Sequence, residues 1–473
     1  MTRRPRALRG PASRPRAQDL ASSLDKLEAI LTSPITFSLA GAIPDKPRAG
    51  RPRDYPSYMW VVYLGLVNFV WESARRVEAE IGRREVWSFM QTLVRERFPG
   101  DLSKWLPDRP MRRHHFVYAT TYLRDPAVLE QMETLFREQS SSLADELGIL
   151  RDGATSWTHP DPDRFLHADG KVLTPLYRAK RGKTRVDTST GEMRKVRADP
   201  DARLHVEGGG AHVHGNKFVL VAARNAHARL LLDIEHDAGR SGDGGEAGAA
   251  LRCFDRLAPL LPGAQGVIYD QAFRGRHIDH LMRELGWLTI TGVHATKDRE
   301  GERQVRFVEE VDAPDREGRG ERLSVYAREG AAGLAEVTET GQTTFVPIAR
   351  VKTERRADAR TFRWYNRYRL PDEHGGGEIR VRLTGSDEDK RRKLNRAERI
   401  RAIPPPDPDF SALFRRRNDA ESLNRGLEDS LYWGRAHSVG ARAQEADLIG
   451  FGLGNNALAA FRHRGREPAG VAA

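Results

Sequence analysis

The spacing of apolar residues predicts helices in the first third of the chain. The apolar run 58–71, YMWVVYLGLVNFVW, is too short to cross a bilayer and predicts a buried helix. After Gly82, apolar residues recur at i, i+3, i+4 and i+7, which is the spacing of an amphipathic helix. Two further helices are predicted at 112–124 and 126–148. Residues 57–150 are therefore predicted to form an N-terminal α-helical domain.

From residue 160 the pattern changes to short apolar strands, later alternating with helices. The predicted order is β-β-β-α-β-α-β. The seven elements are predicted at 164–169, 217–224, 229–236, 245–261, 266–270, 275–285 and 287–293. This order is typical of an α/β fold in which a mixed sheet carries helices on its faces. We expect the first part of this core to cover residues 160–297.

Residues 298–400 interrupt the alternation. Five segments with strand-like composition, separated by Gly- and Asp-rich turns, predict a β-rich insertion. Helical spacing returns in 401–463, which we expect to complete the core, and 464–473 is a tail. Residues 1–56 are rich in Arg and Pro and predict a flexible basic arm and linker.

Two basic segments in the N-terminal part each have two interpretations. Gly50-Arg51-Pro52 and its flanking arginines are typical of a plain basic linker, with a hook for the DNA minor groove as the alternative. The segment RPMRRHHF begins one predicted helix and contains Arg112 and Arg113. Short helices with basic starts suit either a helix-turn-helix-like DNA reader or an ordinary helical bundle.

The amino-acid composition favours a polyanionic binding partner. The chain has 473 residues, 78 Lys+Arg against 66 Asp+Glu, and a formal net charge of +12. This balance favours nucleic acid, although a genome rich in arginine codons would give the same excess. The single cysteine, Cys253, excludes a disulfide within the chain and a cysteine-based zinc site. With no signal peptide or membrane span in view, we expect a soluble cytoplasmic protein, associated with the nucleoid and not with membranes.

Two carboxylates are predicted at strand ends of the mixed sheet. Asp169 is predicted at the end of the first strand, before Gly170, and Asp270 at the end of the fourth. Ligands of open sheets gather at the carboxyl ends of strands, so the two acids could share a metal ion. Either residue alone could equally cap a turn.

A third acid lies on a predicted helix that follows the insertion. In FSALFRRRNDAESLNRGLEDSLYWG, Leu413, Ala420 and Leu427 recur every seven residues and predict a core stripe. Beside it, a second stripe is formed by Phe414, Arg417, Glu421, Asn424 and Glu428. A glutamate in this position could reach the strand ends, although helix glutamates are usually solvated.

Four motifs in order resemble those of the DDE transposases of bacterial insertion sequences. They are HADGKVLTP, HGNKFVLVAA, YDQAFRG, and Phe414-x2-Arg417-x3-Glu421-x6-Glu428, within residues 160–460. The last is similar to the family's Y-x2-R-x3-E-x6-K signature with every spacing kept. The chain departs from the family pattern at three positions: Ala272 replaces a glycine, Phe414 a tyrosine and Glu428 the signature lysine.

The resemblance implies an RNase H-like core in which Asp169, Asp270 and Glu421 are the catalytic residues and metal ligands. It implies two Mg²⁺ ions, for which Mn²⁺ may substitute. The residues that it places near DNA, together with the basic helix start, are Arg417, Asn424, Glu428, Lys217, Arg274, Arg112 and Arg113.

The resemblance also implies the reaction and the partners. We expect a transposase that binds double-stranded DNA, both the terminal inverted repeats of its element and a target, as a homodimer, and that cleaves and joins phosphodiesters. One alternative is a non-mobile nuclease with the same acids, whose gene would lack flanking inverted repeats. The other is a catalytically inactive DNA-binding derivative, which the glutamate at position 428 keeps open.

Overall fold

A computed structural model describes nine stretches of the chain: 21–45, 53–177, 182–187, 189–206, 210–239, 244–293, 304–312, 322–337 and 343–465. The predictions for 1–20 and 46–52, including the candidate minor-groove hook, lie outside the described residues.

The N-terminal part is helical, as the apolar spacing predicts. Its helices are α1 (Ser23–Thr32), α2 (Pro34–Ala40), α3 (Ser57–Gly65) with a π-helical turn (Leu66–Val70), α4 (Ala74–Ile81), α5 (Arg84–Arg97), α6 (Arg113–Leu123) and α7 (Pro126–Glu146). Helices α1 and α2 differ from the flexible arm predicted for 1–56. Ser22 and Asp25 form a capping box at the start of α1, and Leu27 and Ile30 are buried.

A six-stranded mixed sheet forms the centre of the molecule. Its elements are β1 (Phe165–Leu173), β4 (Arg203–Val206), β5 (His212–Arg224), β6 (Arg229–Asp237), α8 (Gly245–Leu257), β7 (Gly266–Ile268), α9 (Gly275–His280) and β8 (Leu288–Ile290). The strand order is β4-β5-β1-β7-β8. Residues 212–215 of β5 pair with β4, and residues 217–224 of β5 pair with β6 on the same edge. β1, β7 and β8 are parallel, whereas β5 is antiparallel to β1 and β6. The strands β2 (Thr184–Val186) and β3 (Met193–Lys195) form a separate hairpin.

The seven predicted core elements are present, with shifted bounds, and the α/β class is confirmed. Strands β2, β3 and β4 were not predicted. The prediction that Asp169 ends the first strand is wrong, because β1 continues to Leu173 in antiparallel pairing with β5. The apolar pattern stops at Ala168, but the ladder of backbone hydrogen bonds does not.

The predicted insertion forms two antiparallel sheets. One contains β9 (Arg306–Asp312), β10 (Arg322–Arg328), β11 (Ala331–Val337) and β12 (Thr343–Pro347). The other contains β13 (Ala349–Asp358), β14 (Thr361–Arg369) and β15 (Glu378–Arg382). Strand β11 was not predicted, and the single strand predicted from TTFVPIARV is two strands, β12 and β13. The indole Nε1 of Trp364 donates to the carbonyl oxygen of Met282 at 2.6 Å, which joins the second sheet to the helix after Asp270.

The C-terminal part contains α10 (Asp387–Arg391), α11 (Arg396–Arg399), α12 (Pro408–Phe414), α13 (Asn418–Ser430) and α14 (Ala441–Arg464). Helix α14 packs against α1, α3, α7 and β6 and joins the N-terminal helices to the sheet. Two glycines of α14 allow its backbone to lie close to α3 and to the π-helical turn that follows α3. A Cβ added at Gly450 would lie 2.9 Å from the carbonyl oxygen of Leu64, and one at Gly454 would lie 2.4 Å from the ring of Phe69.

Buried apolar residues from the N-terminal helices, the sheet and α14 form one continuous core. Within the described stretches, none of the helices is both long and apolar enough to cross a membrane.

Candidate metal centre and cleft

The pairing of two parallel strands brings Asp169 and Asp270 to the same level of the sheet. His167 in β1 is the partner of Ile268 in β7. Each aspartate lies two residues beyond this pair, and neighbouring strands are about 4.8 Å apart. The carboxylates therefore meet where the parallel pairing ends. The amide of Ala272 donates to Asp270 Oδ1 at 2.7 Å, which fixes one orientation of that side chain.

A third carboxylate, Glu246, completes the group. Ligand oxygens of Asp169, Glu246 and Asp270 all lie within 4.8 Å of one another. The hydroxyl of Tyr269 donates to Glu246 Oε1 at 2.9 Å, and Lys217 forms an ion pair with the same carboxylate. These contacts hold Glu246 in place from two sides.

Gly170 makes room for Glu246. A Cβ at position 170 would lie 2.5 Å from Glu246 Cδ, well inside van der Waals contact. Glycine at position 170 therefore leaves the space that the first-turn carboxylate of α8 occupies against β1, and a larger residue would displace that carboxylate.

Sequence reasoning missed Glu246, although a signal for it exists. Strand β6 runs parallel to β1, since both are antiparallel to β5. The helix that follows β6 must consequently begin near the edge where β1 and β7 carry their aspartates. An acid in the first turn of α8 is therefore directed to that edge by topology.

The site favours a cation or a shared proton. Burial raises the pKa of Asp169 to about 6; the neighbouring carboxylates of Glu246 and Asp270 add to this rise, and Arg417 opposes it. Burial also raises the pKa of Asp270, and the amide of Ala272 partly offsets that rise. Three half-buried carboxylates whose oxygens lie within 4.8 Å of one another provide the hard oxygen ligands that Mg²⁺ prefers, so the residues fit a divalent cation.

Helix α13 forms the opposite wall of a cleft of about 820 Å³ above the carboxylates. Four of the five predicted stripe residues line this cleft, namely Arg417, Glu421, Asn424 and Glu428. The fifth, Phe414, stacks on Phe410 instead. Asn424 Nδ2 donates to Asp169 Oδ2 at 2.8 Å, which links the helix to the sheet carboxylates.

Glu421 lies in the cleft but not in the three-carboxylate group. Its Oε1 accepts from Arg417 Nη1 at 3.0 Å, one helical turn away, and the side chain is 55% exposed. Among the described residues, the one that lies within 4.8 Å of both aspartates, ligand oxygen to ligand oxygen, is Glu246 and not Glu421.

Glu428 also lines the cleft, and its carboxylate is not unpaired. It forms an ion pair with Lys171, which lies two residues after Asp169 on β1. This ion pair joins the helix α13 to the strand β1 across the cleft.

The remaining predicted DNA-contact residues lie at different places. Lys217 is within the cleft, bound to Glu246 and only 13% exposed. Arg274 is 52% exposed and lies 4.0 Å from Glu398 of α11. Arg112 and Arg113 are exposed at the start of α6. None of these three arginines is among the described residues that line the cleft.

Comparisons with known proteins leave the family open. Neither a protein-family model nor a curated protein matches the chain. Among solved structures, the chain is similar to a piggyBac transposase in a cryo-EM structure of its synaptic complex with hairpin DNA. The TM-score is 0.27 and the identity 10%, over 95% of this chain and 83% of the transposase chain. A similarity at this level carries no argument, so the function has to be inferred from the site itself.

Proposed function

We propose that this protein is a metal-dependent DNA-cleaving and DNA-joining enzyme, a DDE-type transposase with an RNase H-like core. The observation that carries the proposal is the group of Asp169, Glu246 and Asp270 under an open polar cleft. Five strands in the order β6-β5-β1-β7-β8, the first three antiparallel and the last three parallel, support the RNase H-like assignment. The four sequence motifs support the transposase class within it.

The carboxylates would hold Mg²⁺, or Mn²⁺ in its place. When bound, the metal would supply the positive charge that favours attack by a water or a 3′-hydroxyl and departure of the leaving oxygen. Asp169, Asp270 and Glu246 would be ligands on the sheet side of the cleft, and Glu421 would be a ligand from the side of α13. Asn424 orients Asp169, and Arg417 orients Glu421.

The residues around the cleft fit a phosphate-containing substrate. Arg417, Arg425 and Lys171 line it beside the acids, so a phosphate held by metal ions would meet cations at the rim. The cleft is open and polar, as a site for a long polymer must be. A DNA strand, bound through its backbone, is the substrate class that this arrangement supports best.

We assign recognition of the element ends to the N-terminal helices. We also propose that the protein binds DNA as a homodimer. Arg112 and Arg113 are exposed on α6, outside the carboxylate cleft, where base contacts could be made without disturbing catalysis. In the full-length chain, Arg112→Gln/Arg113→Gln should reduce the preference for end DNA over random duplex in a competition assay at fixed salt. Unchanged preference would move end recognition to another part of the chain.

The proposal is tested by strand cleavage of end-bearing DNA with and without Mg²⁺. Asp270→Asn should abolish cleavage, while DNA binding in EDTA stays near that of the wild type. Full activity of Asp270→Asn would overturn the assignment. A non-mobile nuclease would instead cleave without joining and would show no dependence on inverted repeats, which the same assay reports.

A further inference from the structure

The outward face of the three-stranded sheet β13-β14-β15 is dense in arginine. Along each strand, alternate residues point to opposite faces. The inner face is buried and contains Thr353, Trp364 and Val381. By strand register, the outward face carries the seven cations Lys352, Arg356, Arg363, Arg367, Arg369, Arg380 and Arg382. It carries three carboxylates, Glu354, Asp358 and Glu378, so its net charge is +4.

The inner face is sufficient to hold this sheet on the molecule. Trp364 is fully buried and bound to Met282, and Asn366 Nδ2 donates to the carbonyl oxygen of Ala402 at 2.9 Å. Arg350 anchors the first strand through two hydrogen bonds to Asp407, at 2.7 and 2.9 Å. The contacts that attach the sheet to the rest of the molecule through these residues all lie on its inner face.

The positive charge of the face is only partly compensated within the protein. Glu354 is surrounded by Lys352, Arg356 and Arg367, at 3.6, 3.2 and 2.8 Å. Over the described stretches of the chain, neither Arg369 nor Arg380 forms an ion pair with a carboxylate. Arg367 and Arg380 are also direct cross-strand partners. Like charges placed opposite each other destabilise a sheet. An anionic ligand bound between these two arginines would reduce their repulsion.

Tyr365 keeps two of these cations extended on the surface. The guanidinium of Arg380 lies 4.9 Å from the Tyr365 ring centroid, and that of Arg356 lies 5.6 Å from it on the neighbouring strand. Such cation–π contacts limit the side chains to a few conformations. Ordering them in advance lowers the entropy lost on binding.

We infer that this face, named here the arginine face, is a second binding site for duplex DNA that contacts the phosphate backbone. Its cations are spaced about 7 Å apart along a strand and about 5 Å across strands, which gives a flat grid of positive charge. Such a surface positions a duplex without reading its sequence. The inference rests on the proposed function, which brings DNA to the chain, and adds a site remote from the carboxylates.

The test compares salt dependence of binding between two double variants of the full-length chain. Arg369→Gln/Arg380→Gln removes two cations from the arginine face that hold no ion pair in the described structure. Lys390→Gln/Arg391→Gln removes two exposed cations from α10, of which Lys390 is ion-paired with Asp387, and is the control for a general loss of positive charge. Binding of a labelled random-sequence duplex is followed by fluorescence anisotropy in EDTA over a range of salt concentrations.

The arginine-face variant should bind more weakly, and its log–log salt slope should fall by about 1.8, since each phosphate contact contributes about 0.9. The control should keep the wild-type slope. Conversely, Glu378→Gln, which removes a carboxylate opposite Arg369, should tighten binding. An unchanged slope for the arginine-face variant, or an equal fall in the control, would overturn the inference.

Cleavage assays separate this inference from the proposed function. If Mg²⁺-dependent cleavage is seen but the salt slope of the arginine-face variant is unchanged, the enzyme assignment stands and the second site is wrong. If the slope falls as expected but the wild type never cleaves DNA, the second site stands and the enzyme assignment is wrong.

Discussion

Replacing Asp169 by Asn is expected to stabilise the metal-free protein and to abolish its stabilisation by Mg²⁺. Burial and Glu246 raise the pKa of Asp169 to about 6, from an ordinary value of 3.8. A carboxyl group with a raised pKa binds its proton more tightly in the folded state. Its contribution to stability is therefore present at low pH and is lost as the pH rises through the interval between the two values.

The size of the expected stabilisation follows from the pKa shift of Asp169. Each pKa unit corresponds to about 1.4 kcal/mol, so the ionised group costs up to about 3 kcal/mol above pH 6. At about pH 5 the folded-state group is mostly protonated, and the cost falls to about 1.6 kcal/mol. Asn at this position can still accept from Asn424 through its amide oxygen, so the variant should gain these amounts.

The assay is thermal unfolding at about pH 5 and about pH 8, in EDTA and in Mg²⁺. With an unfolding entropy of about 2.1 cal/mol/K per residue, 1 kcal/mol shifts the Tm of this chain by about 1 °C. Asp169→Asn should thus raise Tm by about 3 °C at the higher pH and by about half of that at the lower. Added Mg²⁺ should raise the Tm of the wild type but not of the variant.

Asp312→Asn is the control, because that carboxylate is 91% exposed in the insertion. It should leave Tm unchanged under all four conditions. A lower Tm for Asp169→Asn at the higher pH in EDTA, or an equal gain at both pH values, would refute the electrostatic reasoning. Stabilisation of the variant by Mg²⁺ would show that the metal binds elsewhere.

Three further predictions concern the cleft. Glu246→Gln should weaken Mg²⁺ binding, measured by calorimetry, at least as strongly as Glu421→Gln does; a normal isotherm would exclude Glu246 as a ligand. Gly170→Ala should displace Glu246, lower stability by about 1–3 kcal/mol and impair Mg²⁺ binding, as read by denaturant titration and calorimetry. Glu428→Lys should release Lys171 and add a second lysine, tighten binding to end DNA and steepen its salt slope by up to about two phosphate contacts, whereas unchanged affinity would place this rim of the cleft away from DNA.

The sheet was predictable because its strands carry continuous apolar runs. Strands β5, β6, β7 and β8 and helix α8 lie within a few residues of the predicted ranges. Where the apolar run ended before the ladder did, as at Ala168 in β1, the predicted strand was too short. Helix α1 was missed although its capping box and its Leu27 and Ile30 spacing are visible in the sequence, because the Arg- and Pro-rich flanks dominated the interpretation.

The candidate site was predictable only in part, since it depends on strand pairing. Asp169 and Asp270 each follow a run of apolar residues, so their place at the sheet could be inferred. Glu246 is a lone acid in a Gly-rich segment, and nothing local distinguishes it from a solvated side chain. The ion pair between Lys171 and Glu428 joins residues far apart in sequence, and only the packing of α13 over β1 brings them together.

Helix α14 explains why the proposed division of labour between the N-terminal helices and the carboxylate cleft is not tested with fragments of the chain. Its glycines let α3 and the π-helical turn approach closely from one side, while Gly452 approaches Leu231 of β6 from another. A fragment ending near residue 150 would expose the apolar surface that α14 covers, and one beginning there would expose α14 itself. The two parts are therefore expected to unfold together, and substitutions in the full-length chain are the tests that keep each part folded.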